Sequence, residues 1–302
     1  MKDNDRERLV DQTDEQLEQK EPDQVPLESA LSKAIQVTEN ESFDPSHVSE
    51  HRPGGADLRK HMEERWNELI RSTTGKSKTE ATDRWFRTIY EKHNEAGRHY
   101  HTAVHLWEMF ELLDIVIACV FPPLSLASKW YVPMAWSVLF HDSIYDPQSN
   151  RNEKDSAALF REFVHVDNAI EMEEDIFDAV LTMILATETH QVTANKEEEA
   201  DAEFIEVQKH FLDIDMAVLG KQKAAYMKYA ALIRREYKFV QHDVYCSKRA
   251  EILERFLGDS GDANTETKQI YTTEAFRNAF ESRARENLRQ EINLLRTNTI
   301  PT

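Results

Sequence analysis

Two His-Asp dipeptides set an imidazole beside a carboxylate in this chain, His141-Asp142 and His242-Asp243, and only the first has a further carboxylate, Asp146, four residues on. Neutral imidazole and carboxylate are ligands suited to a divalent cation when the backbone turns both toward one point, which the end of a helix can do. The first pair closes the apolar run Ala135-Trp136-Ser137-Val138-Leu139-Phe140. The second follows Tyr237-Lys238-Phe239-Val240-Gln241 and lacks the extra acid, so it is read as a decoy. The chemistry that His141-Asp142 offers is metal binding.

Composition limits what scaffold and what partners such a pair can have. A chain of 302 residues, 40% hydrophobic, holds one large or two ordinary domains with a sizeable core. Thirty-seven basic against 56 acidic side chains leave a net charge of -19, which disfavours a nucleic acid polymer or an anionic membrane as partner. A small anionic substrate is still open, because a bound metal and a few local arginines reverse the sign inside a pocket. Seven glycines with no GxGxxG and no phosphate loop exclude nucleotide binding by those two devices. Cys119 and Cys246 are too few for a disulfide scaffold and are expected as free thiols, Cys119 in the core. No apolar run nears the roughly 18 residues of a membrane span, and the polar start Met1-Lys2-Asp3-Asn4-Asp5 is no signal peptide. The expected compartment is the cytoplasm, with the nucleus open.

Residues 1–55 carry 6 basic and 14 acidic side chains, four prolines and a single aromatic residue, Phe43. They bury too little surface to offset chain entropy and are expected as a disordered acidic tail, with Leu27, Leu31, Ala34 and Ile35 on one face of a marginal helix. From about Asp57 onward helical periodicity dominates: Leu58 to Ile70, Glu80 to Asn94, Thr102 to Cys119, Leu126 to His141, Glu153 to Val164, Met172 to Thr187, Glu203 to Leu219, Ala224 to Gln241, Lys248 to Leu257 and Thr273 to Leu295. Pro122-Pro123 ends one helix before the next, Gly220 and Gly258 serve as C-terminal stops, and residues 191–202 and 259–268 read as polar loops. The expected fold class is all-α, as one helical domain over 56–302.

Along this chain His105, His141-Asp142 and Asp215 fall in the order H, HD, D. The motifs around them are Arg98-His99-Tyr100-His101-Thr102-Ala103-Val104-His105, His141-Asp142-Ser143-Ile144-Tyr145-Asp146, Asn152-Glu153-Lys154-Asp155-Ser156-Ala157, Leu212-Asp213-Ile214-Asp215-Met216-Ala217-Val218-Leu219-Gly220 and Ile233-Arg234-Arg235-Glu236-Tyr237. With these five motifs, from about residue 80 to 296, the sequence resembles the HD superfamily of metal-dependent phosphohydrolases, helical-bundle proteins that bind a divalent metal. The resemblance implies His105, His141, Asp142 and Asp215 as ligands of one ion, Mn, Co, Ni, Fe or Mg. Two imidazoles and two carboxylates leave coordination positions for water and a phosphate oxygen. His101, one turn from His105, and Asp213, beside Asp215, are rivals for two of these positions; the 36 positions from His105 to His141 suit the family better.

Asp146 and Glu153 are the candidate bases. Asp146 qualifies if a helix continues beyond Asp142 and projects it from the same face, and Glu153 through the Asn-Glu motif. Related hydrolase domains that degrade the stringent-response alarmone have Glu-Asp where this chain has Tyr145-Asp146. Phosphate recognition calls for cations, preferably the bidentate fork of arginine, so Arg98 and Arg234 are candidate substrate-binding residues together with His101, His190 and Tyr237. Arg249 is a further candidate cation, His190 with His210 a candidate pair for a second metal, and Trp107 and Trp136 are read as core. The resemblance implies hydrolysis of a small phosphate ester, a nucleotide or other small phosphorylated metabolite, by metal-activated water. The alternatives are a catalytically weak HD-fold protein that binds a nucleotide or a partner, and a di-iron HD-fold oxygenase. Oligomeric state is not legible in the sequence.

Overall fold

The computed structural model describes residues 27–40, 58–120, 126–192, 202–258 and 268–301. In chain order the helices are α1 (Leu27–Asn40), α2 (Leu58–Thr74), α3 (Glu80–Lys92), α4 (Ala103–Val120), α5 (Leu126–Phe140), α6 (Asn152–Arg161), α7 (Glu174–Ala186), α8 (Ala202–Asp215), α9 (Lys223–Glu236), α10 (His242–Leu257), α11 (Glu274–Phe276) and α12 (Ser282–Arg296). A π-helical turn, Glu162–Val166, prolongs α6, a tight 3-10 segment, Met216–Gly220, follows α8, and a second π turn, Arg277–Glu281, joins α11 to α12. Among the described residues there is no strand and no helix long and apolar enough to cross a membrane. The all-α expectation holds. Pro122-Pro123 and nearly all of the two polar loops lie outside the described residues.

The architecture is organised around α5. Met134, Ala135, Trp136, Val138, Leu139 and Phe140 are each at most 1% exposed, and a helix that is apolar on all sides has to be enclosed. It is enclosed by α2, α4, α6, α7 and α8. Along its C-terminal half Trp66 meets Trp136 edge-on at 5.2 Å, and at its end Phe140 stacks on Phe163 at 5.4 Å. Trp107 and Trp136 are buried, and the indole N–H of Trp136 donates to Thr73 Oγ1 at 2.9 Å, as suits core residues with one polar atom to satisfy.

Two expectations are corrected here. Residues 27–40 are a helix and not disordered tail: Leu31 is fully buried in the common core, α1 packs on α4 and on the Arg277–Glu281 turn, and Asn278 donates to the Glu28 carboxylate at 2.9 Å. A helix marginal by itself is stable once its apolar face has a seat. The remainder of 1–55 lies outside the described residues. Cys119, expected in the core, is exposed on the last turn of α4, and Cys246 is the buried thiol. Both are free.

The two glycines expected to stop helices do so for different reasons. Gly258 takes φ of 72° at the end of α10, the left-handed conformation that glycine adopts without penalty. Gly220 has to lack a side chain, since a Cβ there would lie 2.5 Å from the Phe280 Cβ. It lets the 3-10 segment press against the second π turn.

Candidate metal centre

The site forms where α5 ends. The helix stops at Phe140, so the chain turns immediately after its buried apolar run. The last carbonyls of a helix lack intrahelical donors and carry the negative end of its dipole. His141 and Ser143 themselves meet that need, with their backbone N–H groups on the Ser137 and Phe140 carbonyls and the Ser143 hydroxyl on that of Leu139. Just beyond the helix, Arg98 Nη1 donates to the carbonyls of Asp142 at 2.6 Å and His101 at 3.2 Å, and Nη2 to that of Ser143 at 2.9 Å. The guanidinium thereby ties the His141-Asp142 turn to the segment that leads into α4.

Into this turn converge residues far apart in the chain. Ligand atoms of His105, His141 and Asp142 all lie within 4.8 Å of one another, a group that could hold a metal ion. Asp215, at the end of α8, places Oδ1 3.2 Å from His105 Nε2 and 3.7 Å from His141 Nε2. His141 Nε2 also lies 3.1 Å from Asp142 Oδ2. The two imidazoles are 3% and 1% exposed, and despite these short approaches neither Nε2 makes a hydrogen bond of acceptable geometry. Buried ring nitrogens are ordinarily paired; two such atoms facing two carboxylates fit a cation between them.

The far side of each ring supports that fit. His141 Nδ1 lies 3.0 Å from the Val138 carbonyl, which only accepts, so Nδ1 carries the proton and Nε2 presents its lone pair. His105 Nδ1 meets the Tyr100 hydroxyl at 3.2 Å. Electrostatics point the same way. Burial alone would lower the His141 pKa, but Asp142 outweighs it and pushes the imidazole up to about 9. Burial opposes the charge of Asp142 and of Asp215, yet His141 and His101 hold the first below the ordinary carboxylate range, and His105 and His190 hold the second there. The carboxylates demand positive charge, and without a cation His141 supplies it.

The rivals resolve geometrically. Asp213 is a structural anchor: its carboxylate accepts the backbone N–H and the hydroxyl of both Thr272 and Thr273 at 2.7 to 3.1 Å, fixing the start of α11. His101 donates Nδ1–H to Glu236 Oε2 at 2.8 Å and stacks on Tyr145, ring centroids 4.2 Å apart. His190 does reach the cluster, with Nε2 3.1 Å from Asp215 Oδ2. It does so in the left-handed region, φ 51°, a conformation that costs a side-chain-bearing residue free energy and that clusters at functional sites. His210 is not brought alongside it; its Nδ1 faces the Glu206 carbonyl at 2.8 Å, and its ring neighbours Phe276.

Four site expectations are corrected. Arg98 is not available to a substrate phosphate, being buried with both terminal nitrogens on carbonyls. Arg234 likewise donates to the Tyr237 carbonyl at 2.6 Å and that of Val240 at 3.0 Å, closing the turn after α9. Asp146 loses the basis for its role as a base, because no helix runs on to carry it: it is exposed, its carboxylate accepts the Gln148 N–H at 2.9 Å, and Asn152 brackets its backbone. Arg249 too is committed, to Glu291 at 3.0 Å. Glu153 is half-buried in the first turn of α6, three residues before Ser156, whose hydroxyl accepts the Ile144 N–H at 3.0 Å. Residues three apart share a helix face, so Glu153 lies on the side of α6 that meets the His141-Asp142 turn. Tyr237 is half-buried beside Tyr145.

Sequence reasoning missed Glu236. Buried at the end of α9, it accepts the backbone N–H groups of His99, Tyr100 and His101 at 2.7, 2.7 and 3.1 Å, the His101 imidazole and the Tyr145 hydroxyl at 3.0 Å. Burial would raise its pKa, but His101 and these donors pull it down to about 2. Its place in the Ile233-Arg234-Arg235-Glu236-Tyr237 motif was the available signal. No family model matches the chain, and neither a curated protein nor a solved structure is similar to it.

Proposed function

We propose that this protein is a metal-dependent phosphohydrolase with the helical fold of the HD superfamily, acting on a small phosphate ester. The observation that carries the reading is the convergence of His105, His141, Asp142 and Asp215 with two buried, unsatisfied Nε2 atoms at its centre. These four residues would hold one divalent ion, Mn, Co, Ni, Fe or Mg. When bound, such an ion polarises a phosphoryl oxygen and lowers the pKa of a bound water toward neutrality.

The chain's own residues divide the remaining tasks. His105 and His141 form the closed floor, whereas His101, Asp142, Asp215 and His190 form the partly exposed rim, their side chains 20%, 17%, 12% and 28% exposed. A phosphoryl group entering from the rim meets the imidazoles of His101 and His190, each oriented by a carboxylate, that of Glu236 and that of Asp215. Arg98 and Glu236 act behind them, one fixing the turn and the other the entry to α4. Glu153 is the candidate base.

The test is metal content per chain of purified protein together with phosphate release from nucleotides, sugar phosphates and simple monoesters in added Mn, Co, Ni or Mg. One divalent ion per chain and metal-dependent release are expected. Ion binding with no release from any ester would instead favour a binding or regulatory protein.

A further inference from the structure

A cavity of about 20 Å³ opens between α4 and the 3-10 segment after α8, and His105 and Asp215 are part of its lining. Glu108 and Leu112 continue the lining along the same face of α4, opposite Val218 and Lys221. Lys221 Nζ and Glu108 Oε1 stand 2.6 Å apart, with side chains only 11% and 18% exposed. Lys221 is rigidly placed: Asn287 donates to its carbonyl and to that of Leu219, both at 2.8 Å, and Gly220 between them is pressed against Phe280.

The chemistry of this cavity differs from that of the rim. A largely buried ion pair contributes little net stability, because desolvation offsets the attraction, so its position beside two candidate ligands asks for another account. Arg98, Arg234 and Arg249 are all spent elsewhere, which leaves Lys221 as the cation lining the cavity. With Glu108 at hydrogen-bond distance it makes a poor anion site, since an oxyanion gains from the ammonium what it loses to the carboxylate. An ammonium group has the reverse difficulty. A hydroxyl satisfies both: it accepts from Nζ and donates to the carboxylate. The volume is that of about one water, which is also the size of one hydroxyl group.

We propose that this cavity receives a hydroxyl group from the alcohol portion of the substrate, and that the substrate is a hydroxylated phosphate ester of the polyol or sugar phosphate class. The inference rests on the phosphohydrolase reading and adds to it the part of the substrate remote from phosphorus. Glu108 and Lys221 are specificity residues, and the apolar wall of Leu112 and Val218 excludes a second charged group.

The experiment compares esters matched in shape. Glycerol 2-phosphate and isopropyl phosphate share a carbon skeleton and differ in two hydroxyls; ribose 5-phosphate is a sugar arm. Binding to the metal-supplemented full chain is measured by calorimetry and turnover by phosphate release, for wild type and for the double variant Glu108→Gln/Lys221→Met, which leaves no lone buried charge. Wild type should prefer at least one hydroxylated ester over isopropyl phosphate by ~10-fold or more, as a site built to bond a hydroxyl rejects an analogue without it. The double variant should bring the ratio close to one. Which hydroxylated ester wins distinguishes polyol from sugar. A wild type without preference, or a double variant that keeps it, overturns the cavity assignment while phosphate binding and release stand. If neither inorganic phosphate nor any ester binds, and no phosphate is released, the phosphohydrolase reading falls and takes this inference with it.

Discussion

His141-Asp142 and His242-Asp243 are the same two residues in two settings. The first follows a helix enclosed on all sides and faces His105 and Asp215 from other elements. The second opens α10, where both residues are exposed and His242 Nε2–H donates to the Asn298 carbonyl at 2.9 Å. The difference lies in what packing does to the dipeptide: burial strips water from one imidazole and aims its nitrogen at carboxylates, while the other stays solvated. A motif acquires chemistry from the element that ends in it.

The contrast predicts a large asymmetry. Asp142→Ala should abolish measurable metal retention and cut any metal-dependent phosphate release by more than ~100-fold, since even residues behind a ligand typically cost 10- to 100-fold in metal affinity. Asp243→Ala should change neither beyond about twofold, and metal analysis of both proteins would break the comparison if the outcomes were reversed. Next in size is Glu153→Gln, expected to lower turnover by ~100-fold or more with metal content kept, the range of a general base. Asp146→Asn is its control and should stay within about twofold.

A third prediction concerns the support behind the first pair. The Glu236 carboxyl is held at about 2 against an ordinary 4.5, so the folded state binds its proton less readily than the unfolded one. Its contribution is complete above about 4.5 and is lost as pH falls toward 2. The shift corresponds to about 3 kcal/mol. Denaturant unfolding of Glu236→Gln should show a deficit of that order at pH 7 that narrows markedly toward pH 2 to 3, and a pH-independent deficit would mean that Glu236 acts through shape alone. Smallest of all, Asp213→Asn should leave metal content unaltered while lowering the melting temperature, because that carboxylate serves the start of α11.

Against these contrasts the legibility of the sequence can be judged residue by residue. The helices were legible because apolar spacing records which face each buries, and α5 because an unbroken apolar run needs enclosure. The resemblance favours His105 over His101 by its spacing to His141 and Asp215 over Asp213 by the order of its motifs, and the geometry gathers the favoured member of each pair. The arginines were not legible: Arg98 and Arg234 bind main-chain carbonyls, and carbonyl direction is set by where a helix stops, which side-chain identity does not record. Asp146 failed for the same reason, since neither glycine nor proline marks the stop at Phe140. Glu236 was visible as part of a motif, but its five donors come from chain segments about 90 or more residues away.

The docking of α1 bears on how the chain is made. Glu28 meets Asn278 across 250 residues, and the helix rests partly on the Arg277–Glu281 turn. During synthesis α1 emerges before the Arg277–Glu281 turn, so this part of its seat is completed only once the chain has been made that far. Domains are assembled as they leave the ribosome, and contacts distant in sequence form late. The part of α1 that meets this turn therefore stays uncovered until late, in an acidic neighbourhood that keeps the waiting segment soluble. Among the described helices, the first to be translated is one of the last to be fully seated.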